Sequence, residues 1–176
     1  LSFLRLEIGE LISSWILLQD FILISKEIRP KNLLAEIQNK ELNRVNLIIG
    51  KFTNDIISRL SELAEKKEGQ VTFHYASKKF NLLRDEVAEF EDFIVRNKFR
   101  DRRNQYISHT YLPSTWQGHR APHRIPYLTM LRGISHAIII MKRFDLNYYG
   151  PNSKQQWLKM RKIRYDFSTP ANLDYL

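Results

Sequence analysis

The chain has 176 residues, a hydrophobic share of 43% and a formal net charge of +9. That length fits one domain able to bury roughly two-thirds of its unfolded surface, and the ordinary apolar content argues against disorder. There is no cysteine, which excludes disulfides and thiolate metal sites.

Charge is distributed unevenly. Residues 1–95 hold 13 Lys/Arg against 15 Asp/Glu, whereas residues 96–164 hold 15 Lys/Arg against only Asp101 and Asp145. So pure a basic segment points to a polyanion, either nucleic acid or an acidic membrane surface. A solvated basic face is the plain alternative. The sequence opens at Leu1 rather than Met, so it is expected to be trimmed or incomplete, and targeting signals are not legible in it.

In chain order, residues 2–29 predict a long helix. Leu4, Ile8, Leu11, Ile12, Trp15, Leu18 and Ile22 recur at three- and four-residue spacing as one apolar stripe. Its most apolar run, Leu11 to Ile24, is interrupted by Ser13, Ser14, Gln19 and Asp20. It is shorter than the roughly 18 apolar residues of a spanning helix, so a buried core helix is expected and no membrane partner. Arg29-Pro30 marks a boundary, because proline disfavours helical geometry in the residue before it. A second helical region is expected from about Asn32 to Lys67, with Gly50 marking a bend or a close helix contact. Val71 to Tyr75 reads as extended. Ser77 is the candidate cap of a helix from Lys78 to about Asn97, apolar at Phe80, Leu83, Val87, Phe90 and Ile94 and acidic on its outer face. Lys98 to Thr110 reads as one bent helix with its predecessor, or as two short ones.

Leu112 to Pro126 contains Pro113, Gly118, Pro122 and Pro126, which excludes a continuous helix and predicts a long basic loop. Tyr127 to Leu146 is the last strong helix, ended by Gly150-Pro151, and Asn152 caps a short basic helix through Trp157 and Lys162. The expected architecture is therefore all-α, a helical bundle in one domain. Residues 1–147 form its helical core and residues 148–176 a basic C-terminal extension.

Several chemistries find no support. The sequence has no glycine-rich phosphate loop, His-Glu-x-x-His pair or strained serine elbow. His119 and His123 have the spacing of a zinc pair, but Pro122 lies between them and no third ligand is evident, so no metal is expected. His74 and His136 sit among helical or apolar residues and read as structural.

The segment Phe99–Tyr111 remains. Histidine moves protons near neutral pH, and arginine stabilises charge growing on phosphate oxygens. Together they can cleave RNA without metal, since the 2′-hydroxyl of the RNA supplies the nucleophile. On a regular helix of about 100° per residue, Arg102 and His109 share a face, while Arg103 points roughly 120° away unless the helix begins or bends nearby.

Arg103-Asn104-Gln105-Tyr106-Ile107-Ser108-His109, followed by Tyr111, resembles the signature of the HEPN superfamily, particularly its abortive-infection and toxin–antitoxin branches. That signature is an arginine, commonly followed by Asn, Asp or His, then a histidine after four to six residues. In the toxin branch a tyrosine stands two residues past the histidine. The resemblance implies a four- to five-helix bundle, and a homodimer whose two motifs meet at the interface as a metal-independent endoribonuclease site. It implies no cofactor, a cytoplasmic setting, and a bacterial defence or toxin–antitoxin system with a nucleotidyltransferase-type antitoxin that modifies Tyr111. Arg103, or Arg102, would bind and polarise the scissile phosphate, His109 would act as general acid/base, and Asn104 would orient groups. Arg100, Trp116, Arg120 and Arg124 would hold RNA. The alternative is a non-catalytic helical RNA- or nucleotide-binding module, or an assembly protein.

Overall fold

The computed structural model describes residues 1–30, 32, 34–35, 39–67, 70–106 and 124–150. They form helices α1 (Ser2–Glu27), α2 (Lys40–Leu63), α3 (Phe73–Phe80), α4 (Arg84–Arg96), α5 (Phe99–Tyr106) and α6 (Tyr127–Tyr149). There is no strand among the described residues, so the all-α expectation holds. The short basic helix expected after Asn152 lies outside the described residues, as does the loop up to residue 123.

The apolar stripes meet as periodicity requires. Leu4, Ile8, Leu11, Trp15 and Leu18 of α1 are buried, as are Ile56, Ile57, Leu60 and Leu63 of α2. Met130, Ile134, Ala137, Met141 and Phe144 of α6 complete the same core. The whole of α1 is longer than its central apolar run, and by length and composition it is a helix that would pass for a membrane span. Its core face packs on α2 and α6, while Phe3, Leu17, Leu23 and Ile24 remain exposed. Gly133 of α6 explains one close approach. A Cβ built there would lie 3.0 Å from Leu60 Cδ1 and 3.3 Å from Phe93 Cε1.

The segment from 71 to 97 departs from expectation. Phe73–Tyr75 are helical, and the cap is Thr72, whose side chain accepts a hydrogen bond from the Tyr75 amide. Ser77 lies inside α3 and donates from Oγ to the Leu82 carbonyl at 2.7 Å. The single helix expected over 78–97 is two helices, because Asn81 (φ 53°) and Leu83 (φ 55°) are both left-handed. Asparagine visits that region readily. A leucine there is uncommon, and here it sits against the core. This break is one reason the described residues hold six helices where four or five were expected. Gly50 marks no close helix contact. It lies within the continuous helix α2, and a Cβ there would meet nothing within 4 Å.

Ion pairs tie the helices together. Asp145 of α6 is fully buried and accepts from Arg5 of α1, Nη2 at 2.6 Å and Nε at 3.0 Å. The Arg5 guanidinium also lies 4.6 Å from the Tyr149 ring centroid. Burial works against the charge on Arg5, and the Asp145 hydrogen bonds and charge outweigh it, so its pKa is raised.

His136 of α6 is half-buried with its ring edge-on to Phe90 and Phe93, at centroid separations of 5.4 and 6.2 Å. Burial pushes its pKa below the ordinary 6.5; nearby Glu89 opposes this and Arg143 reinforces it. The unfolded chain therefore binds a proton more readily than the fold, and stability is lost as pH falls through the ordinary value. The urea midpoint is expected to drop between about pH 7.5 and about pH 5.5, and to drop less in His136→Gln. An equal drop in both proteins would remove His136 from the explanation.

Candidate functional site

The junction of α4 and α5 decides where the arginine-rich segment points. Asn97 caps α4, and Lys98, with φ at 58°, reverses the backbone before α5 starts at Phe99. The expectation of two short helices, rather than one bent helix, is the one realised. Phe99 is completely buried and lies 6.1 Å from Phe93. That anchor seats α5 on α2, near the carboxyl end of the longer helix.

Arg100 is held by that helix end. Its Nη2 donates to the carbonyl of Ala64, the α2 C-cap, at 2.6 Å and lies 3.4 Å from Glu91. A cation at a helix carboxyl end satisfies an orphan carbonyl and complements the helix dipole. Arg102 is half-buried. Arg103 makes an ion pair with Glu65, and both side chains are largely covered. The Asn104 amide oxygen is 3.4 Å from the Nε and Nη2 of Arg103, on the exposed side of the helix.

Arg103 also lines a cavity of about 370 Å³. Its other charged walls are Arg59 and Lys67, opposed by Glu7, Glu62 and Glu65, and Thr72 and Val71 contribute from the start of α3. Arg59 is fixed in place, donating from Nε to Asp55 at 2.9 Å and from Nη1 to Glu7 at 2.8 Å. Ser14 of α1 donates to the same Asp55 oxygen at 2.6 Å. Burial opposes the charge of Arg59, but Asp55, followed by Glu7 and Glu10, more than offsets it, and its pKa is raised. The wall thus carries three cations, Arg59, Lys67 and Arg103, and three carboxylates, Glu7, Glu62 and Glu65; the guanidiniums are permanently charged, and a phosphate would have to displace the carboxylates to reach them.

Of the residues singled out in the sequence, Arg103 and Asn104 are thus in contact, and Arg100 is one turn away in a capping role. Arg124 is exposed next to Ile125, which tucks into the core ahead of α6; it is not part of the cavity wall. His109, Tyr111, Trp116 and Arg120 lie outside the described residues. Sequence reasoning did not single out Arg59, Glu65 or Glu7. The i, i+4 pair Asp55–Arg59 is a local signal, whereas Glu7 reaches Arg59 across 52 residues. No family model matches the chain, and neither a curated protein nor a solved structure matches it.

Proposed function

We propose that this chain is a cytoplasmic, metal-independent endoribonuclease of HEPN type, acting in a bacterial defence or toxin–antitoxin system. The observation that carries the reading is Arg103 at the wall of a cavity, contacted by the motif residue Asn104 and held by Glu65. A phosphodiester of RNA would displace Glu65 from the guanidinium and take its hydrogen bonds. His109 would draw the proton from the 2′-hydroxyl as that oxygen attacks phosphorus. The phosphorus–O5′ bond would then break, leaving a 2′,3′-cyclic phosphate and a 5′-hydroxyl that receives a proton. Arg103 would stabilise the negative charge that grows on the non-bridging oxygens. The start of the basic segment beside this motif supports RNA over a small acidic metabolite.

In a family of this kind two copies bring their motifs together, and a nucleotidyltransferase-type antitoxin would silence the site at Tyr111. The test is incubation of purified protein with transfer and messenger RNA in EDTA, with His109→Ala in parallel. Cleavage by the wild type and its loss in the variant are expected. Salt-sensitive RNA binding without cleavage would favour a non-catalytic binding module instead.

A further inference from the structure

A cavity separate from the one beside Arg103, about 330 Å³ in volume, opens between α3 and α4 just past the end of α2. The two cavities share no wall residue. Here the cations are Lys66, Lys78 and Arg84, the single carboxylate is Glu91, and the half-buried His74 adds an imidazole. The Arg103 cavity balances three cations with three carboxylates, whereas this wall is net positive. Arg84 is steadied by Asn81, donating from Nη2 to Oδ1 at 2.7 Å. Glu91 lies 2.9 Å from Lys66 Nζ and 3.4 Å from Arg100 Nη2, so two cations already answer its charge. Val87, which is buried, and Ala88 make part of the wall apolar. Arg84, Val87, Ala88 and Glu91 recur at three- and four-residue spacing and share one face of α4. That face starts in the first turn of the helix, where the N-cap Leu83 offers no side-chain acceptor to the leading amides. Such a helix end favours an anion.

We propose that this cavity binds a small phosphomonoester with an apolar body. The doubly charged head group would meet Lys66, Lys78 and Arg84, whose guanidinium can grip two of its oxygens at once. The body would lie against Val87 and Ala88, in a space of the size that small-molecule sites occupy. A long polyanion fits this place poorly. Asp85, Glu89 and Asp92 are exposed on the adjoining face of α4 and would repel every phosphate that followed the first.

The site stands apart from the ribonuclease reading, because its readout is binding and not cleavage. Calorimetric titration of the full chain should show phenyl phosphate binding roughly tenfold more tightly than inorganic phosphate, since the ring adds buried apolar area. Lys78→Glu/Arg84→Glu should weaken phenyl phosphate by roughly tenfold or more, through like charges brought together. Arg132→Glu/Lys142→Glu changes the net charge equally at exposed positions of α6. It should leave the affinity within about twofold, because salt screens distant exposed charges. Arg103→Ala should behave likewise, since that residue lines the other cavity. Glu91→Gln should tighten binding by removing the one carboxylate of the wall, a gain that a damaged fold could not produce. A wild type that binds neither phosphate, or both equally, would overturn the proposal. So would a loss in the α6 pair or in Arg103→Ala, or no gain in Glu91→Gln. Undiminished phenyl phosphate binding in Lys78→Glu/Arg84→Glu would overturn it too, and RNA binding lost in that protein would assign the cluster to RNA instead.

Discussion

Asp145→Ala is expected to lower unfolding stability by about 3–5 kcal/mol, the cost of leaving a buried charge without its partner. Arg5 is 4% exposed and Asp145 is fully covered, so water cannot replace the lost carboxylate without opening the helix pair. Arg5 retains the Tyr149 ring, which offsets only a small part of that loss. Replacing both partners with apolar residues, as in Arg5→Met/Asp145→Leu, is expected to recover most of the loss, because no charge is then stranded. Urea titrations of the three proteins measure this directly. Arg143→Ala is the comparison, since its exposed bridge to Glu86 belongs to the class worth under about 1 kcal/mol. Equal losses at Asp145 and Arg143 would show that the buried pair is not what holds α1 to α6.

The second large effect concerns catalysis. If Arg103 contacts the scissile phosphate, Arg103→Ala should lower single-turnover RNA cleavage by about 10²–10³-fold. Loss of the general acid/base in His109→Ala should cost about 10²–10⁴-fold. Arg102→Ala is expected to cost less than about tenfold, the scale of a supporting contact. On a straight helix Arg102, not Arg103, shares a face with His109. The placement of Arg103 against Glu65 and along the cavity wall favours Arg103. A severe Arg102→Ala defect beside a mild Arg103→Ala defect would transfer the role. Arg103→Lys discriminates further. A point charge would survive that change, but a bidentate grip on phosphate would not.

The sequence announces the buried faces well, because a stripe such as Leu4, Ile8, Leu11, Trp15 and Leu18 needs only local spacing to be seen. It hides the break between α3 and α4. Nothing about Leu83 signals a left-handed backbone, and Thr72 and Ser77 both carry a capping hydroxyl, so residue type does not choose between them. The candidate site divides in the same way. Arg103 and Asn104 are adjacent and legible as a motif. Glu65 and Glu7 come from distant parts of the chain, and periodicity says which face of a helix is buried without saying which helix end it meets. Charge segregation fell between these cases. The acidic outer face of the 78–97 region was evident from composition, but its position beside the basic face of α6 required the fold.

The Arg5–Asp145 pair also bears on how the chain acquires this fold. Its partners are 140 residues apart, whereas α1 can lay its apolar stripe on α2 once the first third of the sequence exists. On the ribosome, Arg5 must therefore wait, hydrated, until α6 has emerged. Closing so distant a contact carries a large entropic cost before any return. The α1–α2 hairpin would then form early, and locking by α6 would be a late event that commits the whole domain.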